Sequence, residues 1–335
     1  MPEIRRKIAL DAMGGDHAPE EIVLGAVQAA KQQDIDLFLV GDSKRIEQIL
    51  PAERPGNIQI VPSEGVITED DHPLEAMKQK PNASIIVTVG LVKTGLADAY
   101  VSMGSTGATM AAGVMALGTL DGIDRPALGG PFLGLVPKTT IIDIGSNVDS
   151  RPSQLLSYGV LGSVFSKIIL GLDSPRVALL SVGSEKTKGN RQVRETYEMF
   201  ENSGLNFIGN VEGIDIPMGN VDVVVCDGFV GNILMKYTEG LGVALAGYMK
   251  SRISPEMAST SGAILSELTD LINYGAHVGG CPLLGLNGIG IVGHGRSRAN
   301  SVEAAVSIAK LAVERDLIAM MSDGLAGIRQ QLKTD

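Results

Sequence analysis

Five apolar runs in this chain end in a glycine turn that carries Ser, Thr, Asn, Asp or Lys. Asp11 is followed by AMGGDH at 12–17, and Ser102 by MGSTGA at 103–108. Asp143 leads into IGSNVD, Ser181 into VGSEKTKGN, and Cys226 into DGFVGN. In an open parallel sheet the carboxyl ends of the strands share one edge, and ligands bind in the crevice there. Glycine lets backbone approach a ligand closely, and free N–H groups at helix N-termini attract anions, phosphate above all. The bland alternative is that these glycines only permit tight turns, and for any single turn that reading is the better one. Turn geometry alone does not call for the recurring Asn147, Asn190 and Asn232, each directly after a glycine or one residue beyond it. Taken as a set, the turns predict an anion-binding crevice.

The same turns exclude other chemistries. None has the GxxxxGK[ST] spacing of a nucleotide P-loop, and none pairs GxGxxG with an acidic residue about 20 positions on. The histidines His17, His72, His277 and His294 lie far apart, and Cys226 and Cys281 lack ligand spacing, so no metal site is expected. An Asp-rich magnesium site from Asp11, Asp16, Asp143 and Asp149 is the weaker reading; capping or solvated carboxylates account for them. Aromatic residues are scarce, with no Trp, 6 Tyr and 6 Phe, which argues against stacking on single-stranded nucleic acid. With 28 basic and 38 acidic residues the net charge is −10, the wrong sign for a general polyanion binder.

The elements that must position these turns alternate short β-branched runs with longer helical segments, which predicts an α/β fold with a mainly parallel sheet. Strands are expected at 7–13, 36–40, 58–61, 98–102, 139–143, 176–182, 206–208, 222–226 and 289–292. Helices are expected from Pro19 onward and at 106–117, 152–170, 191–202, 232–250, 257–271 and 298–313. Pro19 stands at a first helical position, with Glu20 and Glu21 where they complement the helix dipole. The polar segment 64–81 reads as a surface excursion with a short helix. No linker or fixed-period repeat divides the 335 residues, so one compact body is expected, with two lobes as its variant.

Two cysteines cannot build a disulfide framework, and the opening MPEIRRKIALDAM has no apolar signal region, so a cytoplasmic location is expected. The longest uncharged stretches, 99–120 and 271–295, are broken by Gly, Ser, Thr or Asn and read as a buried helix and a glycine-rich loop.

IALDAMGGDHAP, SMGSTGA, GIDRPAL at 122–128, DIGSNVD, LLSVGSEKTKGN, FIGNVEGIDI at 207–216 and VVVCDGFVGN together resemble the phosphate acyltransferases of bacterial phospholipid synthesis, the PlsX family. The likeness runs in order from about residue 7 to about 313. It implies a homodimeric three-layer α/β/α fold, related to phosphotransacetylases and isocitrate dehydrogenase-type enzymes. It also implies a reaction in which an acyl group passes from acyl carrier protein to inorganic phosphate. No cofactor is implied. Peripheral membrane contact and a downstream membrane glycerol-phosphate acyltransferase are implied as well. The segment HVGGCPLLG at 277–285 departs from the family's YGGAxLLG, with Val278 for Tyr and Cys281 for Ala, a difference that bears on the acyl pocket.

Under that reaction phosphate is itself the nucleophile and the thioester already has a good leaving group, so no Ser–His–Asp triad is needed. The protein must position phosphate and stabilise the oxyanion. Lys188 is the candidate phosphate holder, with an exposed surface lysine as its alternative. Asp227 would orient Lys188 or accept a proton, Asn232 and Asn190 would donate hydrogen bonds or merely cap helices, and His294 would protonate the thiolate. Asp11, Gly14, Gly15, Ser105, Thr106, Gly107 and Asn147 complete the expected phosphate and substrate contacts. Cys226 on its strand is expected to be buried and inert. Lys186, Arg191 and Arg194, near Lys188, fall in a run without acids and are expected to dock the acidic carrier protein. The competing readings are a phosphotransacetylase-like enzyme using coenzyme A thioesters, an NAD-linked decarboxylating dehydrogenase, and a non-catalytic membrane-recruiting scaffold. A protruding helical segment near 240–272 is expected to serve dimerisation or membrane contact.

Overall fold

A computed structural model describes residues 5–131, 133–252 and 278–334, with 262, 264, 267, 268, 271 and 272 between. The chain clusters into two compact units that are not contiguous in sequence: Met1–Pro126 with Val278–Leu325, and Ala127–His277 with Ala326–Asp335.

In the first unit β1 (Arg6–Asp11) lies between β2 (Ile35–Gly41) and β4 (Ala99–Ser102), with β3 (Ile58–Pro62) beyond β2 and β11 (Ile289–Val292) beyond β4, all parallel. β10 (Cys281–Leu284) pairs antiparallel with β11. The inner strands are buried throughout their apolar runs, as parallel strands covered on both faces must be. α1 (Glu20–Gln32) packs with α9 (Ala299–Glu314), and α4 (Ser84–Lys93) with α5 (Thr106–Leu117), two helix pairs that each rest on the sheet. α2 (Ser43–Ile49) and α3 (Pro73–Gln79) are short, and α10 (Leu317–Thr334) closes the chain.

The second unit holds the order β5 (Ala127–Gly130), β6 (Thr140–Ile142), β9 (Val223–Val225), β7 (Val177–Leu180), β8 (Phe207–Val211). All its pairings are parallel except β5 with β6. α6 (Pro152–Ile168) lies over β6 and β9 and packs on α7 (Arg191–Glu201). α8 runs from Gly228 to Arg252. Among the described residues no helix is long and apolar enough to cross a membrane.

The expected strands all appear, shifted at their ends by one to three residues, and 106–117 and 289–292 match the observed elements. The stretch 271–295 is not a loop: it contains β10 and β11. The stretch 99–120 is β4 followed by α5 rather than one helix. β5, β10, α2, α4 and α10 were not anticipated. β5 reads ALGG and β10 CPLL, residues of low strand propensity that are held by pairing with a neighbour. α2 owes its start to Asp42, whose side chain accepts from Lys44 N at 2.9 Å and Arg45 N at 3.2 Å. The helix expected at 257–271 lies almost wholly outside the described residues.

Tyr100, wholly buried on β4, has its ring against Gly290 of β11 and its hydroxyl beside Gly113 of α5. Burial raises its pKa above the ordinary phenol range, and the hydroxyl has no hydrogen-bond partner among the described residues. An unsatisfied buried polar group costs about 1–3 kcal/mol. Tyr100→Phe is therefore expected to melt at the wild-type temperature or a few degrees above it. A clear fall in the thermal midpoint would show that the hydroxyl is satisfied.

Candidate active site

The glycine turns divide between the units. Those after β1 and β4 lie on adjacent parallel strands of the first unit, and those after β6, β9 and β7 on adjacent strands of the second.

In the first unit Asp11 ends β1 buried, with Oδ2 accepting from Ser102 Oγ at 2.8 Å and Oδ1 from Met13 N at 3.1 Å. Ser102 Oγ in turn accepts from Gly104 N at 3.1 Å, so the carboxylate ties two strand-end turns together. A methyl group on Gly14 would stand 2.7 Å from Asp11 Oδ2 and 2.8 Å from Gly104 N, closer than any Cβ is found. Burial pushes the Asp11 carboxyl up, against the hydrogen bonds that pull it down. Turned inward, the Asp11 carboxyl braces the turn. Gly14, Gly15, Met103, Gly104 and Ser105 line a cavity of about 320 Å³, closed on another side by Thr68 and Glu69 of the polar excursion. Ser105 caps α5, its hydroxyl accepting from Ala108 N at 3.4 Å. Thr106 and Gly107 form the first turn of α5 without lining the cavity. His294 is half-buried after β11, where its carbonyl accepts from Ser297 N at 2.9 Å.

The second unit gathers a denser set. The Asp143 carboxylate, wholly buried after β6, accepts on Oδ1 from Gly145 N at 3.0 Å, Ser146 N at 2.9 Å and Leu128 N at 3.3 Å. Its Oδ2 accepts from Asn147 N at 2.7 Å and Asn147 Nδ2 at 3.0 Å, and the Ser146 hydroxyl lies 2.7 Å from both oxygens. Burial raises the Asp143 pKa and these donors oppose the rise. Asn147 Nδ2 also reaches Ser146 Oγ at 3.1 Å, so this amide is turned inward. Asn147 is 3% exposed, and its amide nitrogen is spent on the loop.

Asp227 follows β9 and starts α8: its Oδ1 accepts from Phe229 N at 2.9 Å, and its Oδ2 from Ser150 N at 2.7 Å. That cap moves the helix start four residues ahead of the expected 232. Asn232 therefore lies inside the helix, exposed, and does not cap it. The Asp227 oxygens face these N–H groups, and the ion pair Lys188 makes is with Glu185, at 4.0 Å. The expected pairing of Asp227 with Lys188 is thus not observed. Lys188 stands half exposed in its turn, and Asn190 caps α7 by accepting from Val193 N at 2.9 Å.

Cys226 is buried, its thiol donating to the Asp143 carbonyl at 3.5 Å. Burial first, then the charges of Asp143 and Asp227, push its pKa far above the thiol range, which suits no nucleophile. The basic run also meets acids supplied by the fold. Lys186 pairs with Glu201 at 2.5 Å and Arg191 with Glu195 at 2.5 Å, while Arg194 forms no ion pair among the described residues. The positive patch is smaller than its sequence suggests. Ser146, Ser150 and Ser102 were not singled out as site residues, and Asp143 was weighed only for a magnesium site. The available signal was a polar residue closing a buried apolar run just before glycine.

A family model described as "Fatty acid synthesis protein" matches residues 6–320. A phosphate acyltransferase from Desulfitobacterium hafniense is 46% identical over 319 residues, covering 93% of this chain and 95% of its own length. One from Synechocystis sp. is 41% identical over 345 residues, covering 100% and 99%. Among solved structures, a phosphotransacetylase from Streptococcus pyogenes superposes with a TM-score of 0.62 at 20% identity, covering 92% of this chain and 94% of that one. A branched-chain phosphotransacylase from Enterococcus faecalis gives 0.54 at 15% identity, covering 92% and 99%. These two likenesses show a shared fold. With relatives of this identity over nearly the full length, the chain belongs to the fatty acid synthesis protein family and is an acyltransferase enzyme of the phosphate acyltransferase kind.

Proposed function

We infer that the acyl donor is an acyl carrier protein thioester and that the acyl phosphate formed feeds phospholipid synthesis. The observation that carries this reading is the full-length identity to phosphate acyltransferases. A phosphate oxygen attacks the thioester carbonyl carbon, the C–S bond breaks, and the thiolate leaves on the carrier. Lys188 and Asn190 hold phosphate, and Asn232 donates to the oxyanion. Within the first unit, Gly14, Gly15 and Ser105 offer a separate place for an anion. The purified protein is tested with acyl-carrier and acyl-coenzyme A thioesters, trapping acyl phosphate as hydroxamate. Preference for the coenzyme A thioester at low concentration would make it a phosphotransacetylase-like enzyme, and no product at all would leave a scaffold.

Docking of an acidic carrier is assigned to Arg194, with Lys186 and Arg191 beside it. Charge reversal of Arg194 to Glu is expected to raise KM for the carrier protein severalfold at low salt with little change in kcat, because rim charges act on encounter. An unchanged KM moves the docking site elsewhere. α8 buries only Gly228, Gly231, Met235 and Gly242, and leaves Phe229, Ile233, Tyr237, Leu241 and Tyr248 exposed. That apolar surface supports a homodimer that touches the cytoplasmic membrane face, near a membrane glycerol-phosphate acyltransferase. Light scattering and vesicle flotation distinguish the two contacts.

A further inference from the structure

Asp143 has no assigned part in the reaction, yet it is the most heavily hydrogen-bonded side chain described in its unit. Three backbone N–H groups on 145–147, the Leu128 N–H, the Asn147 amide and the Ser146 hydroxyl all point at one buried carboxylate. A carboxylate is acceptor-only, so it alone can satisfy donors converging on both oxygens. Its backbone is held as tightly: the carbonyl takes the Cys226 thiol, and the first turn of α8 closes on it. A methyl group on Gly228 would overlap the Asn147 carbonyl and come within 2.9 Å of Asp143 Oδ2. The loop ordered in this way then meets Asn232. A Cβ on Gly145 would lie 3.1 Å from Asn232 Oδ1 and 3.2 Å from its Cβ, so the amide rests directly on Gly145.

We propose that Asp143 is a positioning residue for acyl transfer: it presets the Gly145–Asn147 loop as the platform that fixes the Asn232 amide for the oxyanion. This rests on the functional reading above, in which Asn232 is the oxyanion donor. A donor of that kind works only when its direction is set before the charge develops, since reorientation during reaction costs the advantage. Asp143→Asn keeps the volume but turns an NH₂ group towards donors, either the Asn147 N–H and amide or the Gly145 and Ser146 N–H groups. The loop must then shift, and Asn232 with it. Ser146→Ala removes one donor to the carboxylate, and with it the hydroxyl that accepts from Leu128 N at 2.9 Å and Asn147 Nδ2 at 3.1 Å, but leaves the charge, a milder form of the same disturbance.

The test is a pair of double-mutant cycles read by hydroxamate formation with phosphate varied, each variant also melted. Asn232→Ala alone is expected to lower kcat about 10²-fold, and Asp143→Asn alone by a similar factor. Ser146→Ala alone should cost about tenfold, with KM for phosphate within about threefold of wild type. In the Asn232→Ala background the additional loss from Asp143→Asn or Ser146→Ala should shrink to about twofold or less, because the group they aim is gone. If Asp143→Asn does not fold, the Ser146→Ala cycle decides by the same criterion. Losses that multiply independently, or a folded single variant with wild-type kcat, overturn the positioning role alone. A wild-type protein that makes no acyl phosphate overturns the functional reading and this role together.

Discussion

Lys188→Ala is expected to fold normally and to turn over about 10²–10³-fold more slowly than wild type. The side chain is half exposed, and its one ion pair among the described residues, with Glu185 at 4.0 Å, is long and solvated. Exposed pairs contribute about 0–1 kcal/mol, so the melting temperature should hardly move. The catalytic cost is expected to be larger because, in the proposed role, a point charge beside phosphate would act before and during attack. KM for phosphate should rise with the fall in kcat. Lys188→Arg should recover only part, since a planar fork replaces a compact ammonium. Steady-state kinetics with phosphate varied, beside a thermal melt, check this. A folded Lys188→Ala enzyme within about threefold of wild type would return this lysine to the surface.

Gly231→Ala is expected to have the largest effect on stability, a loss of about 3 kcal/mol or more from overpacking. Its new methyl group would overlap the Asp143 carbonyl oxygen and stand 3.1 Å from Cys226 Sγ, both parts of the buried strand ends. Helix propensity acts the other way, since Ala exceeds Gly by about 1 kcal/mol inside a helix. The steric term is the greater, and backbone on both sides leaves nothing flexible to yield. Gly240→Ala, in the same helix with open space around it, isolates propensity and should stabilise by about 0.5–1 kcal/mol. Chemical denaturation of both variants gives the comparison. Equal shifts for the two would mean that α8 can move away from β6.

The α/β class and most strands were legible in the residues because they follow from local periodicity. Ile8–Leu10, Leu37–Val40 and Ile289–Val292 are apolar runs with turn residues behind them, and nothing distant is needed to recognise them. The glycine turns were legible for the same reason, as was the reaction class through long, specific motifs. The anionic partners of the basic run were not. Glu195 and Glu201 lie outside the acid-free segment, and helix geometry with side-chain reach brings them onto Arg191 and Lys186.

The start of α8 was also hidden, because Gly228 and Gly231 read as turn residues. Only packing against Asp143 and Asn147 shows that they are small for lack of room. β5 and β10 are strands by pairing and not by composition. The roles within the site divide along the same line. Sequence placed Asp11, Asn147 and Asp227 at strand ends, where a polar side chain has equal reason to face ligand or backbone. Which it faces depends on donors brought by other strands: Ser102, 91 residues from Asp11, and Ser150, 77 residues from Asp227. A buried carboxylate must find such donors or lose its charge, and that requirement is met only once the sheet has formed.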